Sequence, residues 1–338
     1  MKRPNKQWHK WLIVSFIVAL LAAFFFFPLN MYIEKPGKAV ALADLISVDG
    51  KTDKESGSFS LTYVSIIQAT PFSYLKAKVT PYQKIISSKE YLAGSSNQES
   101  YQELQDYYTQ SSKIAAEKQA LSAAGADYQL DFKGIKVIDV NKQSDFYQKV
   151  ALGDVIIKIN QQRFNSLADF LQLLQKNTKN TFTLTLIRNQ KQLTVTGKLV
   201  RIDKQLRLGL GLGGEYQLTT TKKIRFETDG YSGPSAGLMF SLELYEQLTK
   251  QNIRKGKQIA GTGTIELDGS VGQIGGIEQK VVAAANANME IFFAPNDPSI
   301  KDNNYTKALV TAKAIKTDMK IVPVASFQDA LDYLAKMK

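Results

Sequence analysis

Cysteine is missing from the 338 residues, and histidine occurs once, at His9. Without a second imidazole or any thiol, a Ser-His-Asp triad has no base beyond residue 9. A cysteine protease and a His- or Cys-ligated zinc site are excluded as well, so no metal is expected. The lack of cysteine fits an extracytoplasmic protein that does not use disulfides, although many cytosolic proteins share it. No G-x-x-x-x-G-K-[S/T] segment occurs, so ATP is not expected to bind, and no other cofactor is called for. Acids are outnumbered, with 31 Asp and Glu against 43 Lys and Arg, for a net charge of +12. The lysines are scattered and no nucleic-acid module is recognisable. The excess therefore reads as a solvated basic surface, with no nucleic-acid partner.

For nucleophilic attack, lysine is the natural base left. Its pKa, ordinarily about 10.4, must fall to roughly 7–8 to work near neutral pH. That shift is worth roughly 3–5 kcal/mol, within the range that burial achieves. Two stretches supply the parts. Asp229-Gly230-Tyr231-Ser232-Gly233-Pro234-Ser235-Ala236-Gly237 follows an alternating segment, Lys222–Thr228, with Ile224 and Phe226 on one side. After it, Leu238, Leu242, Tyr245 and Leu248 form one helical stripe. Ser235 thus stands where a glycine-rich turn enters a helix, beside unpaired N–H groups suited to an oxyanion. The second stretch, Gly261–Lys280, predicts two short strands, Thr262–Leu267 and Val271–Ile274, around an Asp-Gly turn. Paired glycines then open a helix carrying Lys280 in its first turns, where a cation gains nothing from the macrodipole.

The ordered pair Gly233-Pro234-Ser235-Ala236-Gly237 and Gly275-Gly276-Ile277-Glu278-Gln279-Lys280, about 45 residues apart, resembles the proteolytic domain of Lon peptidases. The resemblance implies that Ser235 is the nucleophile, Lys280 the base and Thr262 a hydroxyl holding the lysine. The oxyanion is then expected at the N–H of Ser235 and a second N–H from Ser232 or Gly233. Glu227 and Asp229 read as turn and surface residues.

Upstream, Lys2, Arg3, Lys6 and Lys10 precede 19 residues, Trp11 to Leu29, in which only Ser15 and Pro28 leave the strongly apolar set. This predicts a transmembrane helix with a cytoplasmic N-terminus and an extracellular body. The competing reading is a cleaved signal peptide, with Ala39-Val40-Ala41 at the cleavage spacing. Glu34-Lys35-Pro36-Gly37 reads as a turn, Phe59–Ile67 as a strand and Asn97–Ala124 as a helix closed by Gly125. Ser73 and Lys76 stand at S-x-x-K spacing without the companion motifs, so chance accounts for them.

Residues 126–201 form a separate unit of strands at Gly134–Val140, Val155–Asn160, Phe182–Arg188 and Gln192–Leu199, the last two around an Asn189-Gln190 turn. The helix Leu167–Lys176 turns Leu167, Phe170, Leu171 and Leu174 inward. With Leu152-Gly153-Asp154-Val155-Ile156, this order is similar to a bacterial PDZ domain, a family that adds a peptide C-terminus as an extra strand. The resemblance implies that Lys133, Gly134 and Ile135 form the carboxylate loop; a plain spacer domain is the alternative. Gly209-Leu210-Gly211-Leu212-Gly213-Gly214 lacks the helix that a nucleotide fingerprint requires.

The expected fold is α+β and multi-domain: a tail and transmembrane anchor over 1–33, an extracytoplasmic region packing with the protease over 34–125, a β-rich PDZ-like domain over 126–201 and a Lon-type α/β proteolytic domain over 202–338. The combination resembles the membrane-anchored, ATP-independent, PDZ-containing Lon-like peptidases of Gram-positive bacteria, whose streptococcal members process a competence pheromone. The implied activity is a Ser-Lys endopeptidase acting on short or unfolded extracytoplasmic peptides. A membrane-tethered, peptide-binding scaffold with an inert protease-like domain remains the alternative.

Overall fold

The computed structural model describes residues 6–177, 179–202 and 204–337; Lys2 and Arg3 of the basic tail lie outside them. The first element is the helix Lys6–Phe26. Pro28 has no N–H and disfavours helical backbone at the residue before it, so the helix stops at Phe26 instead of running to Leu29. Among the described residues no helix is long and apolar enough to cross a membrane, and the expected transmembrane span is not found there. The helix nevertheless holds a bare apolar surface, with Trp11 69% and Phe26 81% exposed. Its far end rests on the next helix, Pro71–Val79, through Phe24 and Phe25 against Phe72. Ser73, together with Thr70, forms the capping box of that second helix, a structural use for its hydroxyl.

Two sheets follow. The larger has six strands in the order Lys320–Val324, Ile291–Pro295, Gln258–Gly261, Ser58–Gln68, Met31–Ala41 and Lys84–Ser87. Its first four strands run parallel to their neighbours, and the last two pair antiparallel. Residues ahead of 90 therefore build half of the sheet that the C-terminal region completes. The segment Glu34-Lys35-Pro36-Gly37 is not a turn: it lies within the strand Met31–Ala41. A register shift between Pro36 and Ala39 absorbs the proline as a bulge. Gly37 is required because a Cβ there would run into the Tyr63 carbonyl and ring.

The second sheet is antiparallel, in the order Leu210–Thr220, Tyr128–Val140, Val155–Ile159, Thr181–Arg188 and Lys191–Lys198. The Asn189-Gln190 turn takes positive φ at both residues, the geometry that joins two strands directly. The helix Leu167–Lys176 buries Phe170 and packs Leu167 and Leu174 on this core, but Leu171 stays 42% exposed. Leu210–Thr220, beyond the expected boundary at residue 202, pairs with Tyr128–Val140 in this sheet, and the strands of the larger sheet resume with Gln258–Gly261. The antiparallel sheet is thus inserted between strands of the larger one.

One helix spans the junction. Gln98–Ala123 starts on an Asn97 cap and buries Ala115, Ala116, Ala120 and Leu121. Ala115, Ala116 and Ala120 share a core with Leu238, Met239 and Leu242 of the helix Gly237–Thr249. Toward the other sheet, Tyr107 Oη donates to the Gly214 carbonyl (3.2 Å), and Glu103 pairs with Lys136 (2.8 Å).

Candidate active site

Ser235 lies in the short 3₁₀ turn Pro234–Ala236, which runs directly into the helix Gly237–Thr249. The preceding Gly233 has φ of 96°, a backbone state that side chains oppose, and this reverses the chain before Pro234. Gly237 lets the helix start close against its neighbours, since a Cβ there would lie 2.6 Å from both Ile265 Cγ2 and Ser112 Oγ.

Thr262 follows the strand Gln258–Gly261 and is fully buried. Its N–H donates to the Phe293 carbonyl (3.1 Å), and its hydroxyl donates to the carbonyl of Ser235 (2.9 Å). Lys280 is the fourth residue of the helix Ile277–Asn286 and is 3% exposed. Its Nζ stands 2.6 Å from Ser235 Oγ and donates to Thr262 Oγ1 at 3.0 Å. Burial pulls the lysine down from 10.5 to about 7, since the charged ammonium has lost its water. A neutral amine fits this network without conflict. Ser235 O–H donates to the amine, an amine N–H donates to Thr262, and Thr262 O–H donates back to the Ser235 carbonyl.

Residues 229–336 match the Lon protease (S16) C-terminal proteolytic domain. The Lon-type match supports a serine peptidase. The chain is 32% identical across 106 residues to the Lon protease of Metamycoplasma arthritidis, covering 31% of this chain and 12% of that one. It is 36% identical across 101 residues to the Lon protease of Trichlorobacter lovleyi, covering 29% and 11%. The chain thus spans about a tenth of the length of the curated relatives it matches. Residues 106–199 match a PDZ domain. Among solved structures, the PDZ domain of the SdrC-like protein from Listeria monocytogenes is 23% identical and covers 25% of this chain and 92% of its own, at a TM-score of 0.23.

The structure brings Ser235, Lys280 and Thr262 together and separates two other expectations from their roles. Gly233 N–H is not open to an oxyanion, because it donates to Thr109 Oγ1 at 2.8 Å. Among the described residues, Ser235 N–H and Ser232 N–H have no acceptor and remain available. A cavity of about 120 Å³ opens beside them, walled by Leu61, Tyr63, Val64, Tyr231 and Phe240, with no charged side chain in its lining. Glu227 and Asp229 are exposed.

Lys133, Gly134 and Ile135 do not form a loop. They lie inside the strand Tyr128–Val140, where Gly134 faces Glu215, Ile135 faces Gly214 and Ile135 also faces Ile156 on the other side. Lys133 reaches only Asp131, at 3.0 Å. Ile135 is thus paired on both sides and Gly134 on one, while pairing with Val155–Ile159 starts only at Ile135 and leaves that side of Tyr128–Gly134 without a strand neighbour. The end strands of the sheet are Leu210–Thr220 and Lys191–Lys198, and Tyr107 of the helix Gln98–Ala123 lies against the first of them at Gly213 and Gly214.

Proposed function

We propose that the chain is a serine endopeptidase in which Ser235 is the nucleophile and Lys280 the general base. The observation that carries this reading is the buried contact of 2.6 Å between Lys280 Nζ and Ser235 Oγ, with Thr262 holding the amine. Neutral Lys280 takes the hydroxyl proton as Oγ bonds to the scissile carbonyl carbon. The oxyanion is received by Ser235 N–H, with Ser232 N–H as its neighbour. The resulting ammonium returns the proton to the leaving amine. Lys280 then deprotonates the water that resolves the acyl-enzyme, and Ser235 regains its proton.

Substrates are short or flexible peptides that reach Ser235 without prior unfolding. The PDZ-like unit captures them as an added strand on its sheet. The apolar face of Lys6–Phe26, preceded by a basic tail, supports attachment to a membrane with the body on the outer side. Peptide pheromones belong to the substrate class that such a surface peptidase would process. Mass spectrometry of a peptide library incubated with the protein, beside Ser235→Ala, tests the activity. Cleavage by the parent alone is expected; equal cleavage by both would refute it.

A further inference from the structure

We propose that Thr109 and Ser112, on the helix Gln98–Ala123, are positioning residues for the nucleophile turn. The proposal rests on the peptidase reading above. Both residues lie more than 100 positions ahead of the region that matches the proteolytic domain.

The turn has an inherent problem. Gly230 and Gly233 both have positive φ, so the segment that places Ser235 is built on residues with wide backbone freedom. An oxyanion donor stabilises developing charge only if its direction is already set. Contacts from the long helix supply that setting. Thr109 donates its hydroxyl to the Gln105 carbonyl (2.7 Å), which aims an oxygen lone pair at Gly233 N–H, 2.8 Å away. One helical turn on, the buried Ser112 hydroxyl donates to the Pro234 carbonyl (3.2 Å). Gly233 N–H and the Pro234 carbonyl flank the residue whose peptide group leads into Ser235. On the far side, the Ser235 carbonyl accepts from Gly263 N–H (2.8 Å) and from Thr262. The serine is held from both directions, and its own N–H is left unpaired at a fixed angle.

The pairing also decides which N–H meets the oxyanion. With Gly233 N–H tied to Thr109, the nearest free donors are those of Ser235 and Ser232. Releasing Gly233 would let the glycine turn rotate and spoil the direction of both. Both hydroxyls are engaged with backbone partners, so their loss is expected in the chemical step and not in ground-state binding.

The test uses the full chain and the peptide that it cleaves fastest in the library, with Ser235→Ala as the blank. Thr109→Val keeps the shape and removes the acceptor. It is expected to lower kcat about 10–100-fold while KM stays within about twofold, the loss of one preorganised contact at ~1.36 kcal/mol per tenfold. Thr109→Ser restores the oxygen and should recover most of kcat. Ser112→Ala should act in the same direction. The midpoint of the pH–rate profile should stay near that of the parent, because Lys280 is untouched. Melting temperatures measured alongside separate positioning from unfolding. Thr109→Val with the parent's kcat would overturn the proposal, as would Thr109→Ser as impaired as the valine variant. A parent that shows no Ser235-dependent hydrolysis would overturn the peptidase reading, and the positioning role with it.

Discussion

Lys280→Met should make the protein more stable and inactive, and the stability gain should depend on pH. The amine is buried with desolvation as the cause of its lowered pKa, from 10.5 to about 7. A lysine whose folded pKa is depressed costs stability wherever the unfolded chain holds its proton more tightly. Below about pH 7 both states are protonated and the fold carries the full cost, about 3.5 pKa units or roughly 5 kcal/mol at ~1.36 per unit. The cost fades as pH rises from about 7 toward 10.5 and is gone above that. Methionine fills similar space and carries no charge, so the variant escapes it. Urea unfolding of parent and variant at pH 6 and pH 9 cancels every other titrating group. The gap between them should shrink by about 2–3 kcal/mol from the lower to the higher pH, a difference that follows from the linkage relation. Water reaching the site would lower the absolute values but keep the sign. Parallel stability curves, or a gap that widens with pH, would mean that Lys280 is not poised near neutrality and would remove its claim to be the base.

The same titration should appear in catalysis: kcat/KM should rise through an apparent pKa near 7, and an activity profile flat from pH 5 to 9 would contradict it. Lys280→Arg should be as inactive as Lys280→Ala, because a guanidinium stays protonated, and measurable turnover by the arginine variant would count against the assignment. Gly237→Ala should destabilise by about 1–3 kcal/mol, since its Cβ would strike Ile265 and Ser112, and a melting temperature matching the parent would show that the helix can retreat. Glu243, buried on the nucleophile helix, is raised to about 7 by desolvation, so parent stability should fall as pH climbs from about 4.5 to 7. Glu243→Gln should then gain about 1–3 kcal/mol at pH 8 and nothing near pH 4, checked by denaturation at both.

The legible and illegible parts of this chain differ in how far apart their partners lie. Ser235 and Lys280 were readable because each sits in its own short glycine-marked motif, and glycine at a helix start is a local steric requirement. Helices such as Leu167–Lys176 were readable from apolar spacing alone, although the inward assignment of Leu171 was not, since a stripe's edge is set by what it meets. The strand Met31–Ala41 was hidden by Pro36-Gly37, a pair that signals a turn unless a bulge and a neighbouring ring absorb it. Gly134 and Ile135 read as a loop because the strand that pairs with them comes some 80 residues later. Thr109 met Gly233 across 124 positions, a distance over which no periodicity carries information.

The inserted PDZ-like sheet imposes an order of assembly. Strands Met31–Ala41 and Ser58–Gln68 emerge early, but the parallel neighbour Gln258–Gly261 follows about 190 residues later. At roughly 5–20 residues per second the ribosome takes about 10–40 s to deliver it. Through that interval the early hairpin keeps an unpaired edge bearing Phe59 and Leu61, a surface open to unwanted strand pairing until its own partner arrives. The inserted sheet, whose strands pair mainly with near neighbours, can close meanwhile. Only when Gln258–Gly261 docks is Thr262 fixed at the end of its strand, and only then does Lys280 have a buried place to lose its proton. The nascent chain therefore brings no lysine to Ser235 until Gln258–Gly261 and Ile277–Asn286 have both been made and docked.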